Sequence, residues 1–261
     1  MKVALISLNQ EWEDKPRNLA RCKVLLELVA SHGAELVIFP EMTLTGFSMN
    51  TRKTAEVFED SHTLESFRQL AVMHRLAIVF GVVFHVGRKA ANTLIHMSSV
   101  GEIVAQYIKL HPFTFAGEDQ FFVNGNTLVI AELNECKIGY SICYDLRFPE
   151  IFSAMAKSCN VIINIANWPK KRVEHWQSLL QARAIENQIF MVGVNRIGKD
   201  GNDLEYEKST YVYDANGRKL TPLVSEPEID IFEINIGVLE AFKKQFNTVR
   251  DRLPDLYRSL I

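Results

Sequence analysis

The succession of short apolar runs constrains this chain more than any other feature. Val3 to Leu8 alternates as a strand, and from Asn18 the residues Leu19, Cys22, Leu25, Leu26 and Val29 recur at helical spacing until Gly33 stops them. Leu36 to Phe39 is a brief continuous apolar strand ending at Pro40, and Leu64, Phe67, Leu70 and Ala71 mark one face of a helix over Leu64 to His74. Ala77 to Val86, Thr93 to Met97 and Ile103 to Ile108 then follow as three strands separated only by turns. Further strands are expected at Leu128 to Ala131, Ile138 to Ile142, Val161 to Ile165, Phe190 to Asn195, Thr210 to Tyr213 and Ile229 to Ile234. Helices are expected from Pro149 to about Ala156 and over Val173 to Gln188, and Leu239, Phe242 and Phe246 predict a last helix and an ordered tail of about 25 residues. Strands that alternate with helices in places and succeed one another directly elsewhere predict an α/β fold with mixed sheets. So many strands fit two sheets packed face to face, with helices outside, better than one. No repeat, charge block or low-complexity linker interrupts the chain, so residues 1–261 are expected to form a single domain.

Composition narrows the function classes. The chain is 48% apolar and 23% charged, with a net charge of −2 and no long basic run, so it carries no electrostatic footprint for nucleic acid. No apolar stretch approaches the length of a membrane span, and the alternating first strand does not resemble a secretion signal. The cysteines at 22, 136, 143 and 159 form no C-x-x-C pair, and in the expected cytoplasmic setting they are reduced thiols. The histidines lack zinc-ligand spacing, although His111 and His175 stand as a weak alternative pair of ligands.

Three residues share a position just beyond an apolar strand: Glu41 after Leu36-Val37-Ile38-Phe39-Pro40, Lys109 after Ile108, and Cys143 after Ile142. In α/β architectures ligands bind at the carboxyl ends of strands, where such groups can converge. A thiol at a strand-to-helix junction also lies near free backbone N–H groups, which suits a nucleophile. A carboxylate to take the thiol proton, an ammonium to hold an oxyanion and a thiol to attack would make an acyl-transfer site. The alternative is a small core cysteine beside two solvated strand-end charges.

Phe39-Pro40-Glu41-Met42, Tyr107-Ile108-Lys109-Leu110-His111 and Ile142-Cys143-Tyr144-Asp145-Leu146-Arg147-Phe148-Pro149-Glu150, in this order and spacing, resemble the nitrilase superfamily of carbon–nitrogen hydrolases. Ala166-Asn167-Trp168-Pro169, His175-Trp176, Ala182 to Gln188 and Gly193-Val194-Asn195-Arg196 resemble its ω-amidase-like branch. The resemblance spans about residues 3 to 258. It implies a four-layer α-β-β-α sandwich that associates at least into a homodimer, needs no metal or organic cofactor and acts on a small amide. It further implies Cys143 as nucleophile, Glu41 as general base and then acid, and Lys109 as oxyanion stabiliser. Glu118 would position Lys109, and the Tyr144 backbone N–H would be the second oxyanion donor. Asp145 and Arg147 are expected to tie the turn after Cys143 together through a charged pair. Asn167, Trp168, Phe115 and Arg172 are expected at the substrate, although Trp168 and Phe115 also fit as core aromatics. Lys170, Lys171 and Arg172 could meet an acidic substrate or be a solvated helix start.

The expected reaction is hydrolysis of a small linear amide, such as the ω-amide of a keto-dicarboxylate, through a thioester. N-carbamoyl amine or amino-acid hydrolysis is the alternative within this chemistry; a silent scaffold on the same fold is the alternative outside it. A redox-sensing thiol would require Cys136 or Cys159 within reach of Cys143. Two departures from the branch stand out: Glu207-Lys208-Ser209 where relatives commonly read Gly-Asp-Ser, and Ile108 before the lysine. Both are expected near the substrate entrance or the dimer edge.

Overall fold

The computed structural model describes residues 1–259. Its strands, in chain order, are β1 Lys2–Ile6, β2 Leu36–Ile38, β3 Ala77–Val86, β4 Lys89–Met97, β5 Ile103–Ile108, β6 Ile130–Leu133, β7 Cys136–Ile142, β8 Val161–Ala166 and β9 Phe190–Asn195. The remaining ones are shorter: β10 Gly198–Lys199, β11 Glu205–Tyr206, β12 Tyr211–Tyr213, β13 Val224–Ser225 and β14 Ile229–Glu233. The helices are α1 Lys15–Ser31, α2 Thr51–Thr54, α3 His62–His74, α4 Glu118–Phe121, α5 Pro149–Met155, α6 Val173–Asn187, α7 Ile236–Gln245 and α8 Pro254–Ser259. One sheet runs β13-β14-β1-β2-β3-β4-β5 and a second runs β12-β9-β8-β7-β6. Each has three parallel strands at its centre, β1-β2-β3 and β7-β8-β9, flanked by antiparallel neighbours.

Strand alternation explains the layers. On β1, Val3 and Leu5 face the space between the sheets, where Ile138, Ile142, Ile163 and Val192 of the second sheet meet them. Ala4 and Ile6 face the other way, onto Leu25, Leu26 and Val29 of α1 and Phe67 and Leu70 of α3. The second sheet does the same with Ile162 and Met191, which pack on Phe152 of α5 and on Trp176 and Leu180 of α6. Both sheets are therefore buried on both faces, which is why their strands read as continuous apolar runs. The result is an α-β-β-α sandwich.

The chain's end is tied down by polar contacts. The Gln188 side chain donates to Phe246 O at 2.9 Å and accepts from Thr248 N at 2.9 Å. Arg252 donates to Ser153 Oγ at 2.6 Å and to Asn187 Oδ1 at 2.9 Å, fastening the segment before α8 onto α5 and α6. Positions 260–261 of the expected tail lie outside the described residues. Among the described residues no helix is long and apolar enough to cross a membrane.

Two features inside the sandwich set testable limits. Gly81 on β3 lies under the turn after β2: a Cβ there would stand 2.3 Å from Met42 N and 2.9 Å from Glu41 C. Backbone cannot swing aside as a flexible side chain can, so Gly81→Ala should cost at least about 1–3 kcal/mol, measurable by urea denaturation. In the layer between the sheets, His96 of β4 and Tyr140 of β7 share a hydrogen bond of 2.6 Å. Burial pushes the His96 pKa down from 6.5 to about 4. Below the unfolded value the unfolded chain binds the proton more readily, so stability is lost as pH falls from 6.5 towards about 4. The loss from this group is on the order of 3 kcal/mol. Denaturation of His96→Gln at neutral pH and at the lower end of that window should show a flatter pH dependence than the wild type.

Candidate active site

The parallel strands deliver the site. Glu41 follows β2, Cys143 follows β7 and Asn167 follows β8, all at carboxyl ends, while Lys109 follows β5. The turn carrying Glu41 is held from both sides. Gln10 Nε2 donates to the carbonyls of Glu41, Met42 and Thr43 at 3.1, 2.9 and 3.1 Å. Thr43 Oγ1 donates to Pro40 O at 2.7 Å and accepts from Gly81 N at 2.9 Å. Met42 adopts φ +45°, a conformation that this dense bonding over-determines.

Glu41, Lys109 and Glu118 are all almost completely excluded from solvent. Lys109 Nζ lies 3.0 Å from Glu41 Oε1, 3.1 Å from Glu118 Oε1 and 2.8 Å from Glu118 Oε2. Burial alone would push the ammonium pKa down, but the Glu118 and Glu41 carboxylates outweigh it and hold Lys109 charged, well above its usual range. Asn92 of β4 bridges the carboxylates: its Nδ2 donates to Glu41 Oε1 at 2.7 Å and to Glu118 Oε1 at 3.0 Å. Glu118 Oε2 also accepts from Phe113 N at 2.5 Å, and Glu41 Oε2 from Asn167 N at 2.9 Å. Asn92 was not expected from the sequence. Its signal was a buried amide on an apolar strand, and it was hidden because the strand begins at Lys89, four residues before the expected Thr93.

Cys143 opens a tight turn, Cys143–Arg147, with φ +46°. Desolvation first, and then the Glu41 carboxylate, push its thiol pKa well above 9, against the pull of Lys109. Its Sγ lies 3.9 Å from Asn167 O. Asp145 fastens the turn, though not through Arg147. Its carboxylate accepts from Ile142 N at 2.9 Å, Tyr107 OH at 2.7 Å and His111 N at 3.0 Å, and lies 2.8 Å from His111 Nδ1. The expected Asp145–Arg147 pair is thus corrected. Arg147 lies 4.9 Å over the Trp168 ring and faces the cavity, because Tyr107 and His111 already occupy the carboxylate.

A cavity of about 340 Å³ opens beside Cys143. Tyr144, Asn167, Trp168 and Arg172 all line it. Trp168 is fixed by Asn195, which accepts from Trp168 N at 2.7 Å and donates to Trp168 O at 2.8 Å. Phe115 does not line it. The side chain is 84% exposed, and Phe113, one turn position earlier, fills the inward place. Lys170 pairs with Glu205 at 3.7 Å and Lys171 is exposed, so of the three cations after Pro169 only Arg172 reaches the cavity. The β10–β11 hairpin supplies an unexpected wall through Asp200, Asn202, Leu204 and Tyr206. Asp200 caps its own loop from Asn202 N and Leu204 N and accepts from Tyr206 OH at 2.8 Å. A polar, glycine-containing stretch reads as a plain loop in sequence, and nothing local says that it folds back to the site.

Three alternatives fall away. His111 is engaged by Asp145 and stacks on Phe148 at 3.8 Å, while His175 lies 3.4 Å from Arg147, so the two serve separate contacts. Cys136 starts β7 and Cys159 precedes β8, both at the opposite strand ends from Cys143. A strand of that length separates the sulfurs by roughly 20 Å, too far for a resolving partner. Lys208 is held away from the cavity, its Nζ 2.9 Å from Asp230 on β14.

This geometry has counterparts. Residues 2–244 match the carbon-nitrogen hydrolase family. The chain is 32% identical over 259 residues to the 2-oxoglutaramate amidase of Bacillus subtilis, covering 98% of each. It is 31% identical over 255 residues to the omega-amidase YafV of Yersinia enterocolitica, covering 96% of each. Its fold superposes on XC1258 from Xanthomonas campestris, a CN-hydrolase superfamily protein with an arsenic adduct in its active site. The TM-score is 0.90 at 29% identity, over 97% of both chains. With its Glu-Lys-Cys constellation on an α-β-β-α sandwich, the chain belongs to the carbon-nitrogen hydrolase family and is an amidase.

Proposed function

We propose that the enzyme hydrolyses the terminal amide of a small linear substrate that bears a carboxylate at its other end, such as the ω-amide of a keto-dicarboxylate. One observation carries the choice of substrate: Arg147 and Arg172 both line the cavity beside Cys143, and neither forms an ion pair with a carboxylate among the described residues. Each guanidinium instead rests on an aromatic face, Arg147 on Trp168 at 4.9 Å and Arg172 on Phe113 at 5.5 Å. Such cations, oriented but unpaired, suit planar bidentate recognition of a carboxylate. The names of the two bacterial relatives point to the same class of substrate.

The chemistry follows from which acceptors are free. Both oxygens of Glu118 are doubly engaged, by Asn92 and Lys109 on Oε1 and by Lys109 and Phe113 on Oε2. Glu41 retains an open acceptor site, so it takes the Cys143 proton as sulfur attacks the amide carbon. Lys109 and the Tyr144 N–H hold the tetrahedral oxyanion, each donor of this kind contributing about 3–4 kcal/mol. Glu41 then returns the proton to nitrogen, ammonia leaves, and a thioester remains on Cys143. Water attacks the thioester, Glu41 takes its proton, and the carboxylic acid is released with the thiol restored.

Glu41→Gln should lower kcat by about 10²–10⁴-fold, and Cys143→Ala should abolish ammonia release. The wild type should show no thiolate absorbance at neutral pH relative to Cys143→Ala; a clear thiolate band would overturn the neutral-thiol starting state. Arg147→Ala and Arg172→Ala should raise KM for a keto-dicarboxylate ω-amide by about 10–100-fold while leaving an uncharged amide of equal length nearly unaffected. Equal effects on both substrates would rule out the carboxylate contact. Carbon dioxide released along with ammonia would instead identify N-carbamoyl amino acids, which present the same carboxylate.

A further inference from the structure

The two buried carboxylates beside Lys109 differ in one respect, and Asn92 is part of the reason. A carboxylate has about four lone-pair sites. Glu41 Oε1 has both of its sites filled, by Asn92 Nδ2 at 2.7 Å and Lys109 Nζ at 3.0 Å. Glu41 Oε2 accepts only from Asn167 N, at 2.9 Å. We infer that Asn92 is a positioning residue of the reaction: with Lys109 it closes Oε1 and thereby directs the catalytic proton to Oε2 of Glu41.

The surroundings of Oε2 agree with this assignment. The Asn167 residue that donates its N–H to Oε2 also presents its carbonyl to Cys143 Sγ at 3.9 Å. Asn167 thus touches both groups, the base through its N–H and the nucleophile through its carbonyl. In the step itself the S–H bond of Cys143 breaks, an O–H bond forms at Oε2, and the electron pair left on sulfur attacks the amide carbon.

Asn92 is 1% exposed, and its orientation is forced. Turning the amide over would put its oxygen against two carboxylate oxygens, so both Nδ2 protons stay on Glu41 and Glu118. Asn92 also fixes the height of the lysine, since its backbone O accepts from Lys109 N at 2.9 Å.

The inference rests on Glu41 being the base, and the test separates the two ideas. In Asn92→Ala the proton can settle on either Glu41 oxygen. Expected are a kcat about 10–100-fold lower, below the full ~10²–10⁴-fold value of acid–base catalysis, and a KM nearly unchanged. Asn92→Ser, which keeps one donor in a smaller side chain, should fall between the wild type and Asn92→Ala and serves if the alanine variant does not fold. A folded variant with wild-type kcat, or one whose loss falls on KM, would overturn the role of Asn92. The same result beside an inactive Glu41→Gln would leave the base assignment standing, whereas an active Glu41→Gln would remove both.

Discussion

An ammonium held between two carboxylates, out of water, is the interaction on which the rest of this structure depends. Taking Lys109, Glu41 and Glu118 out of solvent costs several kcal/mol per ion, and only close geometry with dense hydrogen bonding around them offsets it. That demand fixes the neighbourhood. β2 must end beside β3, which needs Gly81 under the Glu41 turn. The strand carrying Lys109 is crossed by Gly125, whose N donates to Lys109 O at 2.8 Å and whose missing side chain leaves room for Ile108 O. α4 is only four residues long, but Phe122, buried after it, anchors Glu118 against Met42 and Val83. Two glycines and a short helix are therefore accounted for by one buried cation.

The nucleophile is tied to this cation by a second carboxylate system. Asp145 stands two residues after Cys143, and its partners Tyr107 and His111 stand two residues before and two after Lys109. A single side chain thus sets the spacing between the strand end of the first sheet and the turn of the second. Tyr107 reaches across the apolar layer between the sheets to do this, which is why an aromatic with a hydroxyl tip is buried there. The position of Cys143 is thereby fixed relative to Lys109.

How much of this could be read in the sequence depended on whether a signal was local. Periodicity located both sheets and their flanking helices, since each strand carries its own apolar run and each helix its own face. Strand ends marked Glu41, Lys109 and Cys143 because a polar residue directly after an apolar run is visible without knowing the fold. Asn92 was lost because it precedes the expected strand start and reads as turn polarity, whereas the strand extends back to Lys89 through its pairing with β3. Phe115 was misplaced for a different reason. In the turn Thr114–Ala116 the backbone path, not the residue type, decides which of two nearby phenylalanines points inward, and Phe113 takes that place. Asp200 and Tyr206 reach the cavity through a two-stranded hairpin that has no apolar pattern to announce it.

The departures from the family pattern also become interpretable once the path of the chain is known. In Glu207-Lys208-Ser209, Lys208 is bonded to Asp230 and Ser225 on the neighbouring sheet edge. The serine keeps its structural duties: Ser209 Oγ accepts from Asn195 Nδ2 at 2.9 Å, and Ser209 O accepts from Trp176 Nε1 at 2.6 Å. Asn195 in turn holds Trp168, on which Arg147 rests. Lys208 therefore serves a contact between β14 and the segment before β12, while Ser209 connects to the cavity through Asn195 and Trp168. Ile108 behaves similarly, with its carbonyl closed off by Gly125 and its side chain outside the cavity lining. The two guanidiniums and the aromatic faces beneath them line the cavity, whereas Lys208 and the Ile108 side chain lie outside its lining.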